Sequence, residues 1–168
     1  MGEERGHRPD GFDFSNSPVA VSRADLTDRT LVQRTSAGTR GAIAARQADR
    51  LWCASLVCAS ATARAVAASG LGAPTYVITG RSRDGHADGE EDLAVAQYIE
   101  RARTGQPLDA EQTVRAVTES RDALHTLSLG PEHVDPDDIA YATRVDAFAF
   151  AMEVRRDAVG LRLSRVEA

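Results

Sequence analysis

Two hydrophobic periods divide this chain. Residues 1–26 carry recurrent Gly, Pro, Asp, Asn and Ser and read as loop. Thr30-Leu31-Val32-Gln33 is a short apolar, β-branched run, which predicts a strand over 29–34. A helix is expected over 38–48. Residues 51–57, Leu-Trp-Cys-Ala-Ser-Leu-Val, form a nearly continuous apolar run of the kind buried in parallel sheets. An Ala-rich helix follows from Cys58 to Ser69, ended by Gly70, and Thr75-Tyr76-Val77-Ile78-Thr79 is a third strand. Strand and helix alternate, which predicts an α/β fold: a three-layer α/β/α sandwich on a mainly parallel sheet. Ligands of such sheets collect outside the carboxyl ends of the strands. Residues 34–39, 57–58 and 79–80 are therefore expected along one rim.

The second half reads differently. After a polar loop over 80–88, one helix places Val95, Tyr98, Ile99 and Ala102 on a single face. A second begins at Asp109, with Gln112 as its capping pair, and carries Val114, Val117, Leu124 and Leu127 as far as Gly130-Pro131. Asp135-Pro136-Asp137-Asp138 opens a short helix. The tail alternates through Phe148, Phe150 and Met152 or Val154, turns at 157–160, and resumes with Leu161, Leu163 and Val166. That is a C-terminal antiparallel hairpin. The 168 residues predict one domain, 1–168, without internal repeats.

The formal net charge of −5, with arginine as the only strong base, argues against nucleic acid or an anionic membrane as partner. No apolar run approaches the ~20 residues of a membrane span. The N-terminus is polar, so no signal peptide is expected, and the two cysteines, Cys53 and Cys58, make no disulfide framework. Cytoplasm is the expected compartment.

Chemistry concentrates in two stretches. Residues 34–40, RTSAGTR, join the first strand to the first helix. A helix start offers unpaired N–H groups and a partial positive charge. Gly38 lets a ligand approach the backbone, Thr35, Ser36 and Thr39 add hydroxyls, and Arg40 adds a fork for phosphate or sulfonate oxygens. Helix capping by the same hydroxyls is the plain alternative. The other stretch is residues 11–18, GFDFSNSP. Cys58 and Arg64 also have the C-x5-R spacing of cysteine phosphatases, but the residues between them lack glycine and favour helix. His7, His86, His125 and His133 show no ligand spacing and read as surface residues.

These motifs, in this order, resemble the 2-phosphosulfolactate phosphatase family, the coenzyme M biosynthesis phosphatases and their bacterial relatives. That family carries GE-x-x-G, GFD-x-x-NSP, a strand ending in TT-x-NGTR, a strand ending in G-S-x-x-N, and E-D at a helix start. Here they read Gly2-Glu3-Glu4-Arg5-Gly6, GFDFSNSP, RTSAGTR, Ala54-Ser55-Leu56-Val57-Cys58 and Glu91-Asp92. Arg34, Ala37 and Cys58 depart from the pattern. The family's front strand and helix, with D-x-x-R-A-x-T, find no match, so the chain reads as the family without its N-terminal part. An exposed sheet edge, or a second copy covering it as a homodimer, is expected as a result.

The resemblance implies Mg²⁺-dependent hydrolysis of a small anionic phosphorylated acid, 2-phospho-3-sulfolactate. It makes Asp13, Asn16 and Arg40 the catalytic candidates. Thr35, Ser36, Gly38, Thr39 and Arg40 become the substrate-binding candidates, and Glu3, Asp13, Glu91 and Asp92 the metal candidates. Glu91 has a second reading, as partner of Asp88 in a capping box, and Asp13 one as a turn former. A degenerate family member serving as a small-anion binder or scaffold is the alternative function.

Overall fold

The computed structural model describes residues 1–80 and 89–168. His86 and the Asp88 half of the capping box lie outside the described residues. The chain is mixed α/β, but the sheet among the described residues is antiparallel. It has three strands in the order β1-β2-β3: β1 (Leu51–Cys53), β2 (Phe150–Arg156) and β3 (Leu161–Glu167). Leu51 faces Val154 and Cys53 faces Met152, while Phe150 faces Glu167 and Arg156 faces Leu161.

The C-terminal hairpin is as expected. The Asp157 carboxylate accepts the amides of Val159 (2.8 Å) and Gly160 (3.0 Å), closing the turn, and Gly160 holds a φ of 153° that side chains disfavour.

The mainly parallel, three-layer sheet is not found among these residues. The run 51–57 is strand only as far as Cys53, and residues 56–58 turn as a 3-10 helix. Its partner comes from the far end of the chain. Beyond the ladder, the Asp146 and Phe148 amides still donate to the carbonyls of Leu56 (3.0 Å) and Val57 (2.8 Å). A continuous apolar run shows burial on both faces, and either ladder type satisfies that. Residues 29–34 form no ladder; their one bridge joins Arg34 in parallel to Gly2. Residues 74–80 likewise run without regular structure.

Seven helices are described: α1 (Pro18–Ser22), α2 (Gly38–Ala44), α3 (Ala59–Ala68), α4 (Glu90–Arg103), α5 (Ala110–Thr118), α6 (Arg121–Ser128) and α7 (Asp138–Ala142). α3 packs on β2, α4 on α3, α5 on α4, and α6 closes against α4 and α5; α1 pairs with α7. Leu56, Ala59, Ala63, Tyr98 and Ile99 form the buried centre, lined by Val95, Ala102, Val114 and Val117.

The Asp109 cap forms as expected, its Oδ1 accepting the Gln112 amide at 2.8 Å. The helix predicted from Asp109 to Gly130 is instead two. Ser120, extended at φ −63° and ψ 154°, caps α6 by accepting the Ala123 amide at 3.1 Å. A serine that caps a new helix ends the old one. Among the described residues no helix is long and apolar enough to cross a membrane.

Candidate active site

Glycine makes the first contact of the site. Gly2 lies against Arg34 at a φ of 140°, and a Cβ there would sit 1.9 Å from the Arg34 carbonyl oxygen. Only glycine allows this approach. With it in place, the Glu3 amide donates to the Arg34 carbonyl (2.9 Å) and the Gly2 amide to the Phe14 carbonyl (3.1 Å). Glu3 is thereby carried to the RTSAGTR junction. Its carboxylate accepts the Ser36 amide, the Ser36 hydroxyl (2.7 Å) and the Gly6 amide (2.9 Å). Partial burial pushes the Glu3 carboxyl up, but these donors and the nearby Arg34 charge outweigh it and hold the group below the usual carboxylate range. Arg34 itself pairs with Glu4 at 3.0 Å.

Thr35 and Thr39 satisfy each other. The Thr35 hydroxyl accepts the Thr39 amide (2.9 Å), and the Thr39 hydroxyl accepts the Thr35 amide (3.0 Å) while donating to the Thr35 carbonyl (2.8 Å). The Thr35 hydroxyl thus takes up a first-turn amide of α2, as in the capping alternative, while the Thr39 hydroxyl ties back to residue 35. Ser36 is engaged by Glu3. Arg40 remains exposed on the first turn of α2, next to the backbone of Gly38.

The acidic side lies beside α2. A Cβ on Gly41 would meet Thr79 Cγ2 at 2.5 Å, so helix and residue 79 touch. Thr79 gives its amide (2.8 Å) and hydroxyl (2.9 Å) to one Asp92 oxygen. Gly80 brings its Cα against Glu91; a Cβ there would lie 3.1 Å from Glu91 Oε1. Glu91 faces Asp122 at the start of α6. Glu91 Oε2 and Asp122 Oδ2 are buried without a hydrogen-bond partner among the described residues. Burial first, then the charges of Asp122 and Asp92, push Glu91 up to about 7 against the pull of its own backbone N–H. Of the three segments expected along one rim, that of residues 34–39 continues into α2, which meets residue 79, and the α4 acids join them; the Val57 carbonyl instead accepts the Phe148 amide.

The GFDFSNSP loop reaches the same junction from the other side. The Asn16 side-chain oxygen accepts from Gln33 Nε2 at 3.4 Å. Asp13 is exposed, with its carbonyl near the Arg8 guanidinium (3.4 Å). Ser17 caps α1 and is held by Asp138, from the other end of the chain. Of the metal candidates, Glu91 and Asp92 are neighbours, whereas Glu3 is bound to Ser36 and Gly6. Among the described residues no three His, Cys, Asp or Glu side chains gather in a metal-holding group.

Cys58 is not placed for catalysis. It is fully buried, Thr62 donates to its carbonyl (2.9 Å), and burial pushes its thiol up rather than down. Arg64 lies exposed along the uninterrupted helix α3. His7 and His133 meet edge to face with ring centroids 4.4 Å apart. Sequence reasoning missed Gly2, Gly41, Asp122 and Asp138. The family's GE motif signals the first; the others have no local signal, because their roles depend on what lies opposite.

The model of the family described as 2-phosphosulpholactate phosphatase matches residues 1–157. A probable 2-phosphosulfolactate phosphatase of Bacillus subtilis (strain 168) is 30% identical over 166 residues, 98% of this chain and 71% of that protein. Another probable 2-phosphosulfolactate phosphatase, from Thermus thermophilus, is 34% identical over 134 residues, 76% of this chain and 55% of the relative. The match thus spans little more than half of the second relative.

Proposed function

The chain belongs to the 2-phosphosulpholactate phosphatase family, and on that premise we propose that it hydrolyses 2-phospho-3-sulfolactate to 3-sulfolactate and phosphate with the help of Mg²⁺. The observation that supports this reading most is the convergence around Gly41. Contact of α2 with Thr79, and of Thr79 with Asp92, brings the helix that carries the exposed Arg40 against the segment bound to the α4 acids, which supports a shared site.

Hydrolysis breaks the bond from phosphorus to the ester oxygen; water supplies the new P–O bond, and the ester oxygen leaves with a proton as the 2-hydroxyl. The substrate is a polyanion. Arg40 and the Gly38 amide hold phosphate or sulfonate oxygens in this reading. Asn16 and Asp13 close over them from the GFDFSNSP loop. Glu3 keeps the Ser36 amide and hydroxyl fixed, so the junction does not collapse when the site is empty.

The donor set fits a hard cation. Two facing carboxylates with orphaned oxygens must share a proton or take a cation, and two carboxylates are a usual protein share of a Mg²⁺ site. Glu91 and Asp122 would hold it, with substrate phosphate and water completing the shell. The bound ion would neutralise phosphate charge and polarise a water. Phosphate release measured with and without EDTA tests this role, which fails if release persists in the chelator. Arg40→Ala tests the anion contact, which fails if the rate is unchanged.

One observation favours a second reading. The hydroxyls of Thr35, Ser36 and Thr39 are already committed within the protein, which suits a small-anion binder or scaffold without turnover. Calorimetry with phosphosulfolactate and Mg²⁺ separates the two, since binding without phosphate release supports only the second. A cytoplasmic homodimer completes the proposal: β3 leaves an open edge with Leu161 and Leu163 exposed, and a second copy would cover it. Sedimentation velocity at micromolar concentration tests this.

A further inference from the structure

Asp138 opens α7 far in sequence from the GFDFSNSP loop, yet it is 5% exposed and bound to that loop. Its Oδ1 accepts the Ser17 hydroxyl at 2.7 Å and the Val19 amide at 3.1 Å. Its Oδ2 accepts the Asp135 amide at 2.9 Å. The Ser17 hydroxyl in turn accepts the Ala20 amide at 3.1 Å. Every oxygen of the carboxylate is thus satisfied by neutral donors, two of them at the loop's exit. Breaking these bonds would leave buried donors unpaired, which costs more than an exposed bond would.

The carboxylate fixes the place where the loop becomes α1. Asn16 directly precedes Ser17 and turns its amide toward Gln33, while the Phe14 carbonyl is held by the Gly2 amide. The loop is therefore clamped at residue 14 by the segment that carries Glu3 and at residues 17–19 by Asp138. Asn16 lies between the clamps. We infer that Asp138 is a positioning residue for the phosphatase reaction: its buried carboxylate, by gripping Ser17 and Val19, sets where Asn16 stands at the site. This rests on the phosphatase reading above.

The experiment compares Asp138→Ala, Asp138→Asn and Ser17→Ala in the full chain. It follows phosphate release from phosphosulfolactate well below each melting temperature, together with hydrogen exchange of residues 11–19. Asparagine can still offer Oδ1 to Ser17 and Val19, but its Nδ2 then faces the Asp135 amide, donor to donor. Asp138→Asn should therefore lose stability while keeping the loop protected and kcat/KM near wild type. Asp138→Ala should lose the Val19 protection and drop kcat/KM by about tenfold or more, since displacing a reacting group by ~1 Å is enough for that. A merely structural role would lower the melting temperature of both and leave the kinetics of the folded protein unchanged, which overturns the inference. If Asp138→Ala does not fold, Ser17→Ala removes the hydroxyl link and the α1 cap while leaving the Val19 link, and an unchanged kcat/KM there overturns it as well. Wild-type protein that releases no phosphate would instead count against the phosphatase reading. The exchange data then decide the anchor, which is refuted if Val19 stays protected in Asp138→Ala.

Discussion

Gly41→Ala probes the junction between the anion side and the acidic side of the site. The added Cβ would stand 2.5 Å from Thr79 Cγ2, where ordinary contact begins near 3.4 Å. One element must therefore yield by about 0.9 Å, the difference between those two distances. The stability change is modest because two effects oppose. Overpacking costs about 1–3 kcal/mol, while replacing a mid-helix glycine by alanine restores about 0.5–1 kcal/mol. The net loss is about 0–2.5 kcal/mol, or at most ~10 °C in a domain of this size. Activity is expected to suffer more, because a displacement of ~1 Å between binding groups can cost on the order of 100-fold. Thr79→Ser supplies the control. It deletes Cγ2 but keeps the hydroxyl that Asp92 accepts, and the next atom, Thr79 Cβ, lies at an ordinary 3.5 Å from the new methyl. The double variant should recover most of the lost kcat/KM. Steady-state phosphate release and a thermal melt on the four proteins complete the cycle. Full activity in Gly41→Ala, or no recovery in the double variant, would refute the claim that this contact aligns the site.

Three further predictions concern the scaffold. The Glu153 carboxylate is buried between Arg50 (2.8 Å) and Arg155 (2.6 Å), so Arg50→Ala should cost about 2 kcal/mol in urea unfolding at pH 7. Burial raises the Glu153 carboxyl, but the two guanidinium groups outweigh it and leave it below its ordinary value. Its stabilisation is thus complete above the unfolded value of about 4.3 and fades as pH falls through the folded one. The Arg50→Ala penalty should shrink on acidification, and a penalty independent of pH would contradict the pairing. Ser120→Ala should cost about 1 kcal/mol through loss of the α6 cap, read as a lower urea midpoint at constant slope. Cys58→Ala should keep wild-type kcat, and the native protein should resist iodoacetamide at neutral pH; rapid inactivation by alkylation would revive a thiol mechanism.

What the sequence made legible follows from how far each signal reaches. The hairpin β2–β3 was readable because its alternation and its Asp157-to-Gly160 turn are contained in one short segment. The Asp109 cap was readable for the same reason. The partner of β1 was not. A continuous apolar run says that both faces are buried and says nothing about the direction or origin of the neighbouring strand. Ser120 stood within an amphipathic pattern that continues on both sides of it, and only its extended backbone reveals the break.

The site divides along the same line. RTSAGTR advertises donors, but a hydroxyl beside a helix start serves a ligand or a backbone amide equally well, and the choice depends on geometry a few ångströms wide. Thr35 and Thr39 use theirs on each other, and Ser36 is taken by a carboxylate that the sequence places more than thirty residues away. The consequence is a change in which residues bear the anion. With three hydroxyls engaged, affinity in the proposed site would rest on Arg40 and the Gly38 backbone, so electrostatics rather than a hydroxyl cradle would dominate recognition. That arrangement favours a ligand of high charge over a neutral one of the same shape, as a molecule bearing both phosphate and sulfonate would be.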